Sequence, residues 1–192
     1  MTTTTSHTEL AIASYTSPFG TLALAASPDG LRAVLWPRDE AGRLEIAGMD
    51  GSAGGSHVLE EATRQLDEYF AGVRTSFELQ LDLHGTAFQL AAWNALAEIP
   101  FGETRSYAEQ AERLGRPAAY RAVGAANGRN PLSIVLPCHR VLGSDGSLTG
   151  FAGGLDAKRG LLAHERAVVA AGRLGEVRWP GPVALGGESA VP

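Results

Sequence analysis

Apolar residues change their spacing near His84 and Gly85, and that change limits what the chain can fold into. Before it the pattern is mostly strand-like. The stretch "FGTLALAASPDGLRAVLW" (19–36) predicts a β-hairpin, two strand-like runs around Ser27, Pro28, Asp29 and Gly30. Residues 58–70 place Leu59, Ala62, Leu66 and Phe70 at helical spacing, with Glu60, Glu61, Arg64 and Asp67 elsewhere, which predicts an amphipathic helix. "FELQLDL" (77–83) alternates Phe77, Leu79, Leu81 and Leu83 with polar residues and predicts a half-buried strand. Residues 9–83 thus read as a small α/β scaffold with a flexible loop at 50–56, after a Thr/Ser-rich, disordered start at 1–8.

After the boundary the spacing becomes helical. Thr86 is placed to cap a helix through Phe88, Ala92, Trp93 and Leu96, which Ile99 and Pro100 stop. Residues 101–115 hold a second helix with Thr104 or Ser106 as cap. "GRPA" (115–118) makes a tight turn, and a third helix over 118–128 ends at Gly128. Helix, short turn, helix is the helix-turn-helix plan. The third helix carries Ala118, Ala119, Ala122, Gly124, Ala125 and Ala126, with Tyr120 and Arg121 projecting from it. Two readings fit so little bulk: close packing on neighbouring helices, or entry into a narrow groove with a cation leading.

The net charge of −5 is wrong for a general polyanion binder, but it is unevenly spread. Residues 1–83 carry 5 Lys+Arg against 12 Asp+Glu, whereas residues 104–140 carry 6 against 2, and all six are arginine. A polyanion contact is therefore expected in the second part only. The start lacks a basic patch and an apolar core, and no apolar run approaches the roughly 20 residues of a membrane span. With one cysteine there is no internal disulfide and no multi-thiolate zinc site. His7, His57, His84, His139 and His164 lack close metal-ligand spacing. The chain reads as soluble, cytoplasmic and without a metal.

That cysteine, Cys138, lies in "LPCHRV" (136–141) after the apolar run Ile134, Val135 and Leu136. A lone cysteine after such a run is commonly core, yet Asn130, His139, Arg140, Ser144 and Asp145 crowd this one with polar groups. An unperturbed thiol is only a few per cent thiolate at neutral pH, so a nucleophile here needs a base. Ile134–Pro137 reads as extended, which turns neighbouring side chains to opposite faces. His139 would then act on the sulfur through a turn or a water, with Glu165 in "LLAHE" (161–165) as its orienting carboxylate. A core thiol, a Cys-His hydrolase and a lesion acceptor all remain open on these residues.

Four linked blocks narrow the choice. "PCHRV" (137–141) stands with "GTAFQLAAWNALAEIPFGETRSYAEQA" (85–111), "YRAVGAANGRNP" (120–131) and "GSDGSLTGFAGGLDAKRGLLAHE" (143–165). In content, order and spacing the chain resembles the O6-alkylguanine-DNA alkyltransferases (methylated-DNA–protein-cysteine methyltransferases), strongly over 85–166 and in general plan over 10–84. The resemblance implies a ribonuclease H-like α/β domain (9–83), then a mostly α winged helix-turn-helix domain (84–166) that binds DNA and accepts the alkyl group, then a tail of unknown role (167–192). It implies irreversible, stoichiometric transfer of the alkyl group from O6-alkylguanine, with O4-alkylthymine as a further candidate, by a monomer on double-stranded DNA and without a cofactor. A relative that grips the lesion without reacting is the alternative, but such relatives replace the cysteine.

The resemblance also assigns residues. Cys138 is the acceptor, His139 its base through a water, Glu165 the partner of His139, Asn130 the hinge, and Tyr107 the hydroxyl that serves guanine N3. Arg121 is the finger that fills the emptied stack, with Tyr120, Ala122, Ala125, Arg129, Arg140, Thr104 and Ser106 as further DNA contacts. Val141, Phe151, Ala152 and Tyr107 line the base pocket. Phe151 stands where the family commonly has tyrosine. Gly160 replaces a bulkier residue, which is expected to loosen packing near Glu165.

Overall fold

The computed structural model describes residues 10–37 and 56–172. The expectations for 1–8, for nearly all of the 50–56 loop and for the tail from 173 lie outside these residues. The N-terminal half is a three-stranded antiparallel meander, β1 (Ala11–Ser17), β2 (Gly20–Ser27) and β3 (Gly30–Leu35), in the order β1-β2-β3. The hairpin of the sequence reading is β2–β3, turning at Pro28 and Asp29, with Leu24 opposite Val34. β1 escaped that reading because "AIASYTS" has little bulk to alternate; its Ala11, Tyr15 and Ser17 face inward.

Helix α1 (Ser56–Phe70) packs Leu59, Ala62, Leu66 and Tyr69 against this sheet. Full burial of one such leucine contributes about 1.5–3 kcal/mol. The half-buried strand expected at 77–83 is corrected: the segment is extended and its alternate residues turn inward, but it joins β3 only at the bridge Leu31↔Leu81. Two backbone bonds tie it to β3, Leu31 N–H to the Gln80 carbonyl at 2.8 Å and Asp82 N–H to the Leu31 carbonyl at 3.0 Å. Gly30 (φ 145°) permits this crossing, since a Cβ there would stand 2.5 Å from the Gln80 oxygen.

The C-terminal half is mostly helical. α2 (Ala87–Ala97) begins at a capping box in which the Thr86 hydroxyl accepts from Gln89 N–H and the Gln89 side chain accepts from Thr86 N–H. β4 (Arg105–Ser106) leads into α3 (Tyr107–Arg113) through a second box, Ser106 with Glu109. Ser106, and not Thr104, is the cap. The third helix is a 3₁₀ turn (Pro117–Ala119) followed by α4 (Tyr120–Asn127), with Gly128 as C-cap. Another 3₁₀ turn (Cys138–Arg140) leads to β5 (Val141–Leu142), which pairs in parallel with β4, and the described chain closes with α5 (Gly154–Ala170).

One apolar core runs through both halves, from Leu22, Leu24 and Leu66 to Trp93, Leu96, Leu132, Ile134 and Leu161. β3 also grips the segment that precedes Cys138: Val34 N–H donates to the Pro131 carbonyl at 2.8 Å, and Ser133 N–H to the Val34 carbonyl at 3.2 Å. The scaffold sheet therefore fixes where the thiol sits.

Gly160 corrects another expectation. A Cβ there would lie 2.4 Å from the Phe19 ring, so the missing side chain admits Phe19 from the β1–β2 turn and packing is kept.

Candidate active site

The segment that carries Cys138 is folded tightly. Ile134–Pro137 is not extended as expected: Ile134 has φ 75°, a left-handed conformation that is uncommon for a β-branched residue, and Leu136 N–H turns back to the Leu132 carbonyl at 2.8 Å. Asn130, just past α4, ties the turn together. Its Nδ2 donates to the Leu136 carbonyl at 2.8 Å, and its Oδ1 accepts from Leu132 N–H at 3.0 Å. The asparagine is 2 % exposed, so truncating it leaves two buried backbone groups unpaired, at about 1–3 kcal/mol each.

The following 3₁₀ turn sends His139 and Arg140 inward to one carboxylate. Glu165 lies on α5 two helical turns after Lys158, so both face the thiol segment. Glu165 Oε1 is 2.8 Å from His139 Nε2, 2.7 Å from the Tyr69 hydroxyl and 2.9 Å from the Arg140 NH2. Its Oε2 accepts from Arg140 Nε at 3.0 Å and from Gly102 N–H at 2.9 Å. Burial alone would raise the Glu165 pKa, but His139 and Arg140 outweigh it and hold the carboxyl well below its usual range. Burial depresses the His139 pKa, against the opposing pull of Glu165.

These directions fix the imidazole. An ionised carboxylate only accepts, so Nε2 carries the hydrogen, and in a neutral ring Nδ1 is then a lone-pair acceptor. Nδ1 is buried and has no hydrogen-bond partner among the described residues. Its lone pair can accept a proton.

Cys138 is 8 % exposed, and two polar groups, Tyr107 and Lys158, lie within its field. The Tyr107 phenol, at the start of α3, has its pKa raised by burial and by the field of Cys138, while a bond to Thr149 opposes this. It remains a neutral donor. Lys158 is fully buried, with Nζ donating to the carbonyls of Val141 (2.6 Å) and Thr149 (2.7 Å). Burial lowers its pKa to about 8, and the field of Cys138 resists that shift. Phe151 stands edge-on to both Trp36 (5.7 Å) and His139 (6.4 Å).

On the far side of this cluster, α3 and α4 cross at a buried amide pair. Asn127 Nδ2 donates to Gln110 Oε1 at 2.7 Å, and Gln110 Nε2 donates to the Ala92 carbonyl at 2.9 Å. Val123, Ala126 and Asn127 face inward, which leaves Tyr120, Arg121, Ala122, Ala125 and Arg129 exposed along one side. The Arg121 guanidinium lies 5.6 Å from the Tyr120 ring centre. Thr104 is exposed, whereas the Ser106 hydroxyl is committed to its cap. Arg140, expected on DNA, is corrected: it is 6 % exposed, and Glu165 and the Ile99 carbonyl (2.6 Å) occupy its donors.

The structure thus places Cys138 in one cluster with Val141, Tyr107 and Phe151, joins His139 to Glu165, ties Asn130 to the turn before Cys138, and adds Lys158 and Tyr69. Lys158 was legible as a residue on the Glu165 face of α5. Tyr69 was legible as the next step of the stripe Leu59, Ala62, Leu66; the sequence reading had placed Phe70 there.

A buried cysteine next in sequence to a buried histidine–carboxylate pair, carried on a helix-turn-helix module, points to the class of DNA-binding proteins. Comparison with known proteins makes that specific. Residues 87–167 match the 6-O-methylguanine DNA methyltransferase DNA-binding domain, and residues 10–83 match the ribonuclease-like domain of the same enzymes. A methylated-DNA–protein-cysteine methyltransferase of Methanosarcina acetivorans is 48% identical over 151 residues, 79% of this chain and 95% of its own. One from Mycolicibacterium paratuberculosis is 60% identical over 105 residues, 55% of this chain and 64% of its own. The crystal structure of Mycobacterium tuberculosis OGT in complex with DNA superposes with a TM-score of 0.71 at 44% identity, over 81% of this chain and 92% of that one. The chain belongs to the 6-O-methylguanine DNA methyltransferase family.

Proposed function

We propose that this protein repairs alkylated DNA by direct reversal, as a methylated-DNA–protein-cysteine methyltransferase that uses Cys138 as its acceptor. DNA is the partner, and the finer reading is a duplex bearing O6-alkylguanine. An O6 atom inside the stack cannot reach a thiol that is 8 % exposed, so the nucleotide must swing out, at a cost of a few kcal/mol. The exposed side of α4 suits the minor groove: small Ala122 and Ala125 allow close approach, and Arg121 fills the gap left in the stack. Minor-groove readout is degenerate, as lesion search in any sequence requires.

The chemistry then balances simply. The Cys138 proton passes through a water to His139 Nδ1, and Glu165 stabilises the imidazolium. The sulfur attacks the alkyl carbon in line, the S–C bond forms as the C–O6 bond breaks, and the electron pair stays on the base. The Tyr107 hydroxyl meets the charge that develops at guanine N3, while the Lys158 cation favours the thiolate. Phe151 and the backbone at Ala152 line the base pocket, with the Val141 and Cys138 carbonyls facing the exocyclic amine. The thioether has no ready leaving group, so each molecule acts once. A thiol that must stay reduced fits a monomer working in a reducing cytoplasm. Residues 9–83 serve as scaffold and 84–166 as the DNA-binding and acceptor unit.

The observation that carries this reading is the His139 ring, held at Nε2 by Glu165 with its Nδ1 buried and unpartnered, on the residue that follows the only cysteine. Intact-mass measurement after incubation with an O6-methylguanine duplex tests it. The expected result is one methyl gained on Cys138, stopping at one equivalent, and Cys138→Ser should bind the lesion without the gain. A stable complex of the wild-type protein with unchanged mass would favour the non-reacting lesion binder instead.

A further inference from the structure

We propose that Tyr69, from the scaffold half, is a positioning residue for alkyl transfer: its hydroxyl sets how tightly Glu165 holds the imidazole of His139. The inference rests on the reading of Cys138 as acceptor with His139 and Glu165 as its relay.

Tyr69 is the second-last residue of α1 and is fully buried. Its ring is boxed by Phe70 (5.1 Å), Phe77 (5.5 Å), Phe101 (5.8 Å) and His164 (5.3 Å). His164 Nε2 also lies 2.8 Å from the Tyr69 carbonyl, so backbone and ring are both pinned. The hydroxyl has one direction left to it, and it ends 2.7 Å from Glu165 Oε1. That is the oxygen His139 uses, at 2.8 Å. Core packing needs a ring at this place but has no use for a hydroxyl. Phenylalanine would fill the space without placing a donor on the relay carboxylate.

The consequence follows from competition at one atom. The titratable and charged groups facing Glu165 are His139 and Arg140 from the acceptor segment and Tyr69 from α1, with Lys158 acting on His139 from α5 and His164 against the Tyr69 ring. The tyrosine stays protonated, because burial and the adjacent carboxylate raise its pKa well above the ordinary value. A neutral O–H shared on Oε1 draws charge from that oxygen and weakens its support of a protonated imidazole. Tyr69 thereby adds to burial in keeping His139 neutral at physiological pH, ready to accept the thiol proton. It also makes the scaffold half part of the relay.

The experiment is single-turnover methyl transfer from an O6-methylguanine duplex between about pH 5 and 9, with wild type, Tyr69→Phe, Glu165→Gln and the double variant. Tyr69→Phe is expected to shift the rising limb of the rate profile upward by about 0.5–1 pH unit. Transfer should be several-fold slower on the acidic limb and close to wild type near pH 8.5, with lesion affinity unchanged in a Cys138→Ser background. The His139 ring, followed by NMR titration, should move in the same direction, and the shift should vanish in the Glu165→Gln background. An unmoved limb and ring, or an equal shift without the Glu165 carboxylate, overturns the role of Tyr69 while leaving Cys138 as acceptor. A wild-type protein that gains no methyl on Cys138 overturns the relay reading and this inference with it.

Discussion

His139 Nε2 and Glu165 Oε1 stand 2.8 Å apart with neither side chain exposed, which couples the base of the proposed reaction to the stability of the fold. Both groups have depressed pKa values, so their stability contributions share a sign but occupy separate windows. Below its ordinary pKa of about 6.5, the unfolded histidine takes a proton that the folded one resists, so stability falls with acidification. The Glu165 contribution is intact above about pH 4.5 and is lost as pH falls further toward the folded value. The unfolding free energy from urea titration should therefore drop from about pH 6.5 downward by at most about 1.4 kcal/mol per pH unit, whereas the transfer rate should hold until the pH nears the lower value of the folded histidine. His139→Gln should flatten this slope. A slope that survives the substitution would show that His139 is not the neutral buried group.

Removing the carboxylate is a harsher change. Glu165→Gln leaves Arg140 as a buried cation with a weakened partner, a loss expected to cost about 3–5 kcal/mol. Methyl transfer in the protein that remains folded should slow by about tenfold or more, because the imidazolium loses its counter-charge. Rapid-quench kinetics scaled to the folded fraction measures this. An unchanged rate takes Glu165 out of the relay.

Lys158 makes a complementary claim on the thiol. Its cation is present below about pH 8 and favours the thiolate of Cys138. Lys158→Met keeps the length of the side chain but removes the charge, and it should raise the Cys138 pKa by about one unit. Thiolate ultraviolet absorbance against pH reads this directly. The rate advantage of wild type over the variant should narrow above about pH 8 as the lysine deprotonates. Stability carries its own sign here: between about 8 and 10.5 the unfolded chain binds the proton more firmly, so this group's contribution rises with pH.

Arg121 is exposed on α4 against Tyr120, away from the core, so Arg121→Ala should leave the urea midpoint unchanged. Repair of duplex DNA should slow by about tenfold or more, the effect expected when the wedge that offsets unstacking is lost. Dealkylation of a free O6-alkylguanine analogue, which needs no extrusion, should be nearly unaffected. Equal losses on both substrates would refute the finger assignment.

The two halves were legible in the sequence to different depths. Helical spacing, Thr86 with Gln89, and Ser106 with Glu109 are local signals, and α2 and α3 begin where those signals stand. β1 and the 77–83 segment depend on pairing with β2 and β3, which no local pattern encodes. The site divides in the same way. Cys138, His139 and Glu165 could be linked through their chemistry and the resemblance. Tyr69 reaches Glu165 only through an approach of residues 96 positions apart, and Arg140 looked like a surface cation until the fold turned it inward.

Gly160 shows how a small residue can mislead a reading made without the fold. By helix propensity alone, Gly160→Ala within α5 should stabilise the protein by about 1 kcal/mol. The structure sets the opposite expectation, because the new methyl group would stand 2.4 Å from the Phe19 ring and 2.7 Å from a second ring carbon. Phe19 lies in the β1–β2 turn and packs edge-on to Phe70 at 6.0 Å, so it cannot yield without disturbing the aromatic cluster around Tyr69. Overpacking of this kind costs about 1–3 kcal/mol, enough to cancel or reverse the helical gain. Gly160→Ala should therefore lower the urea midpoint or leave it unchanged, and Phe19→Ala in the same chain should recover the propensity benefit relative to Phe19→Ala alone. A clear gain in stability from Gly160→Ala by itself would mean that Phe19 does not seat against α5 in solution.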